Sequence, residues 1–321
     1  FALITGSLLL LASPLSYAQN WPTKPIKLII PFAAGGTTDI LGRLLAQQLT
    51  KDLGQNVIVE NKPGAGGNIG MQAIAKAPPD GMTLGIATTA SNALNPWLFS
   101  KLPYQAQADF QAITQMVSVP NVLVIQSEQS ARLGIRSLSD LINFAKLHPG
   151  RMNYGSGGNG SAGHLAAELL KSMAKLDIAH IPFNGAQPAQ MALLSAQVDF
   201  NIDNLASAAM NIKSGKLIPL AMTSPQRSPL MPQVPTIAET LPNFEVETWW
   251  GLVSPKGVRA DWIQELNAVF VKILKSPQIR IKFASLMAEP QPSSADQFES
   301  MMAAQRDKYK NLVQISGATV D

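Results

Sequence analysis

Cysteine is missing from all 321 residues, which excludes disulfides and thiolate chemistry. Histidine occurs three times, at His148, His164 and His180, far apart and without H-E-x-x-H or comparable ligand spacing, so no metal is expected. Charge is scarce and nearly balanced, 25 basic against 21 acidic residues, with no Lys/Arg cluster and no aromatics interleaved with basic residues; nucleic acid is therefore not an expected partner. Long hydrophobic runs are rare as well. Residues 3–12 are apolar and uncharged but too short to span a bilayer, and Ser16-Tyr17-Ala18 places small residues where a signal peptidase reads. Residues 1–18 thus read as a signal peptide cleaved after Ala18, its basic n-region not included in a chain that begins at Phe1. No later stretch is apolar enough to be transmembrane, and the mature protein is expected to be exported and soluble.

What the chain has in quantity is glycine in clusters that end strands and open helices. The longest cluster is Asn153-Tyr154-Gly155-Ser156-Gly157-Gly158-Asn159-Gly160-Ser161-Ala162-Gly163-His164, followed by Leu165, Ala166, Leu169, Leu170 and Met173 at helical spacing. A glycine loop opening a helix leaves backbone N–H groups free at the positive end of the helix dipole, a cradle for a carboxylate or phosphate. Gly155, Gly157 and Gly160 also satisfy G-x-G-x-x-G, so a dinucleotide-dependent oxidoreductase is the rival reading. That fingerprint needs a buried strand before it and an acid ending the next one. Here residues 150–154 read as polar, and Asp177 precedes the following apolar run.

About 300 mature residues with 46% hydrophobic content suggest two domains. Strand, glycine turn and helix follow one another through residues 26–30, 33–39 and 40–49. Strands at residues 57–59 and 83–87 flank a second glycine loop and a helix around residues 71–76. The order returns after Gly150, with strands at 178–181, 198–202 and 216–222 and helices at 187–195 and 204–213. Alternating strand and helix implies parallel sheets covered on both faces, here two of them. Apolar residues 117–125, broken by Pro120-Asn121, and residues 244–254 with Trp249 and Trp250 are the candidate crossings and hinge; both tryptophans read as core. Three helices, residues 261–275, 277–287 and 295–313, complete the chain and are expected to return to the first domain. The boundaries expected are residues 19–122 with 246–321 for one lobe and 123–245 for the other.

Ligands at open parallel sheets sit beyond the carboxyl ends of the strands, where all the glycine loops fall. Each alone is also explained as a tight turn. Asp203, after an apolar strand, either faces the cleft, where it would select an amino or hydroxyl group, or caps a helix. Ser161, His164 and Asp203 make a poor catalytic triad, because Asn159 stands where G-x-S-x-G needs glycine; Ser161 fits a helix N-cap and His164 a packing residue. Lys62 and Glu60 read as a surface pair.

The motifs Pro31-Phe32-Ala33-Ala34-Gly35-Gly36-Thr37-Thr38-Asp39, Val59-Glu60-Asn61-Lys62-Pro63-Gly64-Ala65-Gly66-Gly67-Asn68, Pro79-Asp80-Gly81, Asn153-Tyr154-Gly155-Ser156-Gly157, and Val198-Asp199 to Asp203-Asn204 run in order through nearly the whole mature chain. Together they resemble the Bug-type extracytoplasmic solute receptors of tripartite tricarboxylate transporters. The resemblance implies a two-lobed periplasmic binding protein of type II-like fold, its two parallel or mixed sheets flanked by helices. Such a receptor is no enzyme and needs no cofactor. It would act as a monomer, closing on a small organic acid (a carboxylate or dicarboxylate, an acidic amino acid included) and presenting it to a membrane permease. It further implies a carboxylate held at residues 32–38 through main-chain groups and water, with residues 156–161 taking the other end. The ligand-contacting set expected is Phe32, Ala33, Ala34, Gly35, Thr38, Gly66, Asn68, Thr88, Ser156, Gly157, Asn159, Gly160, Ser161, His164, Phe183, Asn184 and Asp203. Met82 where an aromatic is frequent, Phe183-Asn184 for a common Tyr-Lys pair, and Ala33-Ala34 for a proline pair are departures that leave the ligand open.

Overall fold

The computed structural model describes residues 21–316, so the expected signal peptide lies outside the described residues. The first third of the chain follows the strand and helix order read from the sequence: β1 (Ile26–Ile30), α1 (Thr37–Leu53), β2 (Val57–Asn61), α2 (Asn68–Ala75) and β3 (Thr83–Thr88). β1 is nearly all buried because it lies between β2 and β3, parallel to both. α1 turns Leu41, Leu45 and Leu49 inward at successive turns and stops at Gly54, whose φ of 65° is left-handed.

A π-helical turn (Thr89–Leu94) then runs into α3 (Asn95–Leu98), a segment with no periodic signature in the sequence. Next come β4 (Phe110–Val119) and β5 (Asn121–Gln126), so the apolar run at residues 117–125 is the end of one strand and the start of another, parted at the Pro120-Asn121 break read from the sequence. α4 (Ser127–Leu133) and α5 (Leu138–Leu147) are helices for which the sequence reading set out no element. Gln126 and Ser137 cap them, accepting from Gln129 N and Asp140 N.

The second sheet is completed by β6 (Met152–Ser156), α6 (Ala162–Ala174), β7 (Ile178–Pro182), α7 (Ala186–Leu194), β8 (Phe200–Asn204), α8 (Leu205–Lys213) and β9 (Leu217–Met222). β6 corrects the reading of residues 150–154 as merely polar: Tyr154 is fully buried, stacked between His180 and Phe200. The chain then returns through β10 (Thr248–Pro255), α9 (Ala260–Lys275), α10 (Pro277–Ser285), β11 (Glu289–Pro290) and α11 (Ala295–Ser316).

The strand orders are β11-β4-β10-β3-β1-β2 and β7-β6-β8-β5-β9, and both sheets are mixed rather than parallel. The crossings explain this. β4 leaves the first sheet at the carboxyl end of its strands and passes through Pro120 straight into β5, which must then run away from that edge and so opposes β8 and β9. β10 makes the reverse journey and opposes both β3 and β4. The two crossings meet at Asn121: its Nδ2 donates to Thr248 Oγ1 (2.8 Å), its Oδ1 accepts from Asn204 Nδ2 (2.7 Å), and its carbonyl accepts from Thr223 N (3.0 Å). Behind the facing edges one apolar cluster is continuous between the sheets, joining Ile29 and Val253 to Leu123 and Tyr154 through Phe298 and Tyr309 of α11. Trp249 packs into it edge-on to Phe298 (5.6 Å), as expected of a core residue.

Candidate functional site

A cavity opens where the carboxyl ends of the two sheets face each other. From the first sheet it is lined by Phe32, Ala33 and Gly36 to Thr38, and by Thr88 and Ala90. The second contributes Gly157, Ser161 to Gly163, Ala186 and Ile202 to Asn204, and the crossing strands supply Asn121, Thr248 and Trp250. A second chamber adjoins it, sharing Phe32, Ala33 and Gly157 and walled by Pro63 to Gly67, Gly158, Asn159 and Pro182 to Gly185. Neither chamber is lined by a lysine or an arginine among the described residues.

Helix starts dominate the electrostatics. α1 begins after Gly36, which offers no side-chain cap, so the first-turn N–H groups at Thr37 and Thr38 have no intrahelical acceptor. Opposite, α6 begins after Ser161, whose hydroxyl accepts from His164 N (3.2 Å) and leaves the N–H groups of Ala162 and Gly163 at the cavity wall. α7 starts there too, at Ala186 behind an uncapped Gly185. Three helix dipoles therefore point their positive ends into one space. α8 offers less, because Asn204 N is taken by Asp203 Oδ1 (2.7 Å) and Leu205 N by the Pro120 carbonyl (2.8 Å).

The loop before α1 is held by Asp39. Its carboxylate accepts from Gly35 N (3.0 Å), Arg43 Nε (2.9 Å) and Asn61 Nδ2 (2.9 Å). Burial pushes its pKa up, but these partners outweigh burial and hold it below the usual carboxylate value. Across the cavity Thr37 Oγ1 hydrogen-bonds Ser207 Oγ, joining the start of α1 to α8.

Of the residues singled out from the sequence, Phe32, Ala33, Thr38, Thr88, Gly157, Ser161 and Asp203 line the main cavity. Gly66, Asn159, Phe183 and Asn184 line the adjoining chamber. The remaining six line neither. Gly35 spends its N–H on Asp39, and Ala34 sits beside it in the loop. Asn68 points into the interior, its Oδ1 accepting from Asn95 Nδ2 (2.7 Å) and Tyr104 OH (2.9 Å). Ser156 bonds His180 Nε2 (2.7 Å), and Gly160 N donates to His164 Nδ1 (3.3 Å). His164 stacks on His180 with ring centroids 4.3 Å apart, and burial lowers both, His180 to about 3, so the stack is neutral and supports the loop from beneath.

Asp203 does not cap α8; Asn204 holds that position without a side-chain cap. Instead Asp203 Oδ2 is shut off from bulk solvent with no protein partner, at the wall of the cavity. Burial raises its pKa from 3.8 to about 6, with the Asn204 N–H opposing. A carboxyl whose folded value exceeds its unfolded one adds stability below about pH 4 that is lost as pH rises to about 6. Asp203→Asn should therefore stabilise the ligand-free protein at pH 7 by up to about 3 kcal/mol and flatten its stability between pH 4 and 6. Chemical denaturation across that range measures it, and an unchanged pH profile would show that solvent reaches the carboxylate freely.

Sequence reading missed Asn121, Thr248 and Trp250, which sit in crossing strands taken for hinge and core. A polar Asn or Thr inside an apolar β run was the available signal. The dinucleotide fingerprint comes apart in three dimensions. Gly155 lies in β6, where a Cβ would stand 2.6 Å from Asn201 Oδ1; Gly160 packs against Asn95 and Phe99; only Gly157 reaches the cavity. Glu60 does pair with Lys62 (2.7 Å), and also with Lys27.

Comparison with known proteins agrees with this geometry. Residues 41–318 match the family described as "Tripartite tricarboxylate transporter family receptor", and the chain belongs to that family of periplasmic solute-binding receptors, which are not enzymes. Among the relatives it resembles, Protein BugT of Bordetella pertussis is 35% identical over 310 residues, covering 96% of this chain and 94% of BugT. Among solved structures, Rpa4515 of R. palustris with adipate superposes with a TM-score of 0.89 at 32% identity, over 94% of this chain and 100% of that one. MatC (Rpa3494) from Rhodopseudomonas palustris with bound malate gives 0.86 at 29% identity, over 91% and 100%.

Proposed function

We propose that this receptor captures a small organic acid in the cavity between its sheets, in the periplasm, and delivers it to the permease of a tripartite tricarboxylate-type transporter. The observation that carries the reading is the meeting of α1 and α6, from different sheets, with unsatisfied N–H groups at a cavity whose lining has no lysine or arginine. An anion there is held by main-chain donors, hydroxyls and helix dipoles instead of an ion pair. The adjoining chamber, with Phe32, Phe183, Pro63 and Pro182, gives room for the rest of a longer skeleton. The adipate in Rpa4515 and the malate in MatC support a carboxylate of this size class.

Binding and closure are one step in this reading. The lobes comprise residues 19–122 with 246–321 and residues 123–245, and they pivot about the Asn121 and Thr248 crossings. Only the closed arrangement brings both sets of N–H groups to one ligand. Mass spectrometry of acid released on denaturing the freshly purified protein, then calorimetry with that acid, tests the assignment. Micromolar or tighter binding of a carboxylate is expected. Saturable binding of NAD(H) or NADP(H), with no carboxylate bound, would overturn it.

A further inference from the structure

Asp203 is the one carboxylate lining the main cavity among the described residues, and it is satisfied on one side only. Its Oδ1 accepts the Asn204 N–H, whereas Oδ2, closed off from bulk water, meets no donor from the protein. A buried oxygen left in that state is destabilising, and a partner brought by the ligand would remove that cost. The neighbouring side chains do not supply one: Asn204 Nδ2 is committed to Asn121, and Asn121 Nδ2 to Thr248. Nothing cationic lines the wall to neutralise the carboxylate. The chamber is thus bipolar, with N–H groups at the starts of α1 and α6 suited to a ligand carboxylate and a lone acceptor on β8 suited to a ligand donor.

We propose that Asp203 is the specificity-determining residue of this cavity, selecting carboxylates that carry an ammonium or hydroxyl group to donate to Oδ2 and discriminating against skeletons without one. The inference rests on the carboxylate-receptor reading above and sharpens its substrate class. An unsubstituted acid leaves Oδ2 unpaired and sets like charges side by side. An amino acid brings the positive charge that the wall lacks, and a hydroxy acid brings a donor without the charge.

Calorimetry at pH 7.5 with two matched series decides it: succinate, malate and aspartate, and glutarate, 2-hydroxyglutarate and glutamate. Within the series whose length fits, the substituted acid should bind at least tenfold tighter than its parent, and the amino-to-hydroxy ratio reports which donor Asp203 takes. Asp203→Asn should shrink that preference at least tenfold while the parent acid holds or gains affinity; a melting curve confirms that the variant is folded. Parent acids binding as tightly as substituted ones, with the ratio unmoved by Asp203→Asn, would overturn the proposal. So would a co-purified acid with no ammonium or hydroxyl. Binding of no carboxylate at all would instead sink the receptor's carboxylate reading, and this inference with it.

Discussion

Gly163→Ala should abolish ligand binding and lower the melting temperature by roughly 5–10 °C. Gly163 is in the first turn of α6, and a Cβ there would lie 2.1 Å from the carbonyl oxygen of Ile202. That oxygen belongs to the backbone of β8 and cannot swing aside as a side-chain tip could. Either α6 withdraws from the sheet or β8 shifts, and overpacking of this kind costs about 1–3 kcal/mol, occasionally more. At about 2–4 °C per kcal/mol for a large domain, the fall in melting temperature follows. The effect on binding is larger because both displaced elements carry the cavity: α6 its N–H groups, β8 its Asp203. A hundredfold loss corresponds to only about 2.7 kcal/mol. Thermal denaturation and calorimetry read the two effects separately. Parental affinity in a destabilised protein would show that the helix start is not part of the cradle.

Gly66→Ala should do the opposite, sparing the fold and blocking closure. Gly66 has φ of 62° beyond the carboxyl end of β2, and its Cβ would meet the Asn159 carbonyl oxygen, on the other sheet's loop, at 2.5 Å. The left-handed backbone costs alanine about 1–2 kcal/mol locally. The contact with Asn159 exists only when the two loops are together, so the variant is expected to fold normally and stay open. Affinity should fall at least tenfold, and small-angle scattering with saturating ligand should show no compaction where the parent compacts. Full compaction and parental affinity would place the closing contact elsewhere.

The parts of the fold legible in the sequence are those whose burial pattern is local. The 26–30 strand, the helix carrying Leu41, Leu45 and Leu49, and the glycine loops before α1 and α2 stand in the structure where residue types alone placed them, whereas the 153–164 stretch begins inside β6. Direction was not legible, because an apolar strand buried on both faces reads alike in either sense. Only the crossing geometry makes β5 and β10 antiparallel. The turn at Thr89–Leu94 was missed because its hydrogen bonds follow a π spacing and all six of its residues are buried, leaving no polar face to mark a period. Tyr154 misled in another way: its hydroxyl bonds Glu168 Oε1 (2.7 Å), so a residue that looks polar in the sequence is core in space.

At the site, the residues lining the cavity from loops were found by their glycines, and those from crossing strands were not. Nor could spacing tell a glycine that faces the cavity, Gly157, from one packed behind it, Gly160. Position relative to Asn95, Phe99 and His164 separates them, and those neighbours are distant in the chain or hidden in a helix.

Asn121 lies both at the meeting of the two crossings, the pivot proposed above, and in the cavity wall, and this bears on how binding would be sensed. The amide that links the two crossings, through Thr248 on one side and Asn204 on the other, itself lines the cavity. A ligand group that competes for that amide draws directly on the pin, and one that leaves it undisturbed lets the pin hold. Acids of equal length and charge can then be held equally well and still set the lobes at different angles. A permease that reads lobe angle would accept one such complex and ignore the other, so the selectivity of uptake can exceed the selectivity of binding.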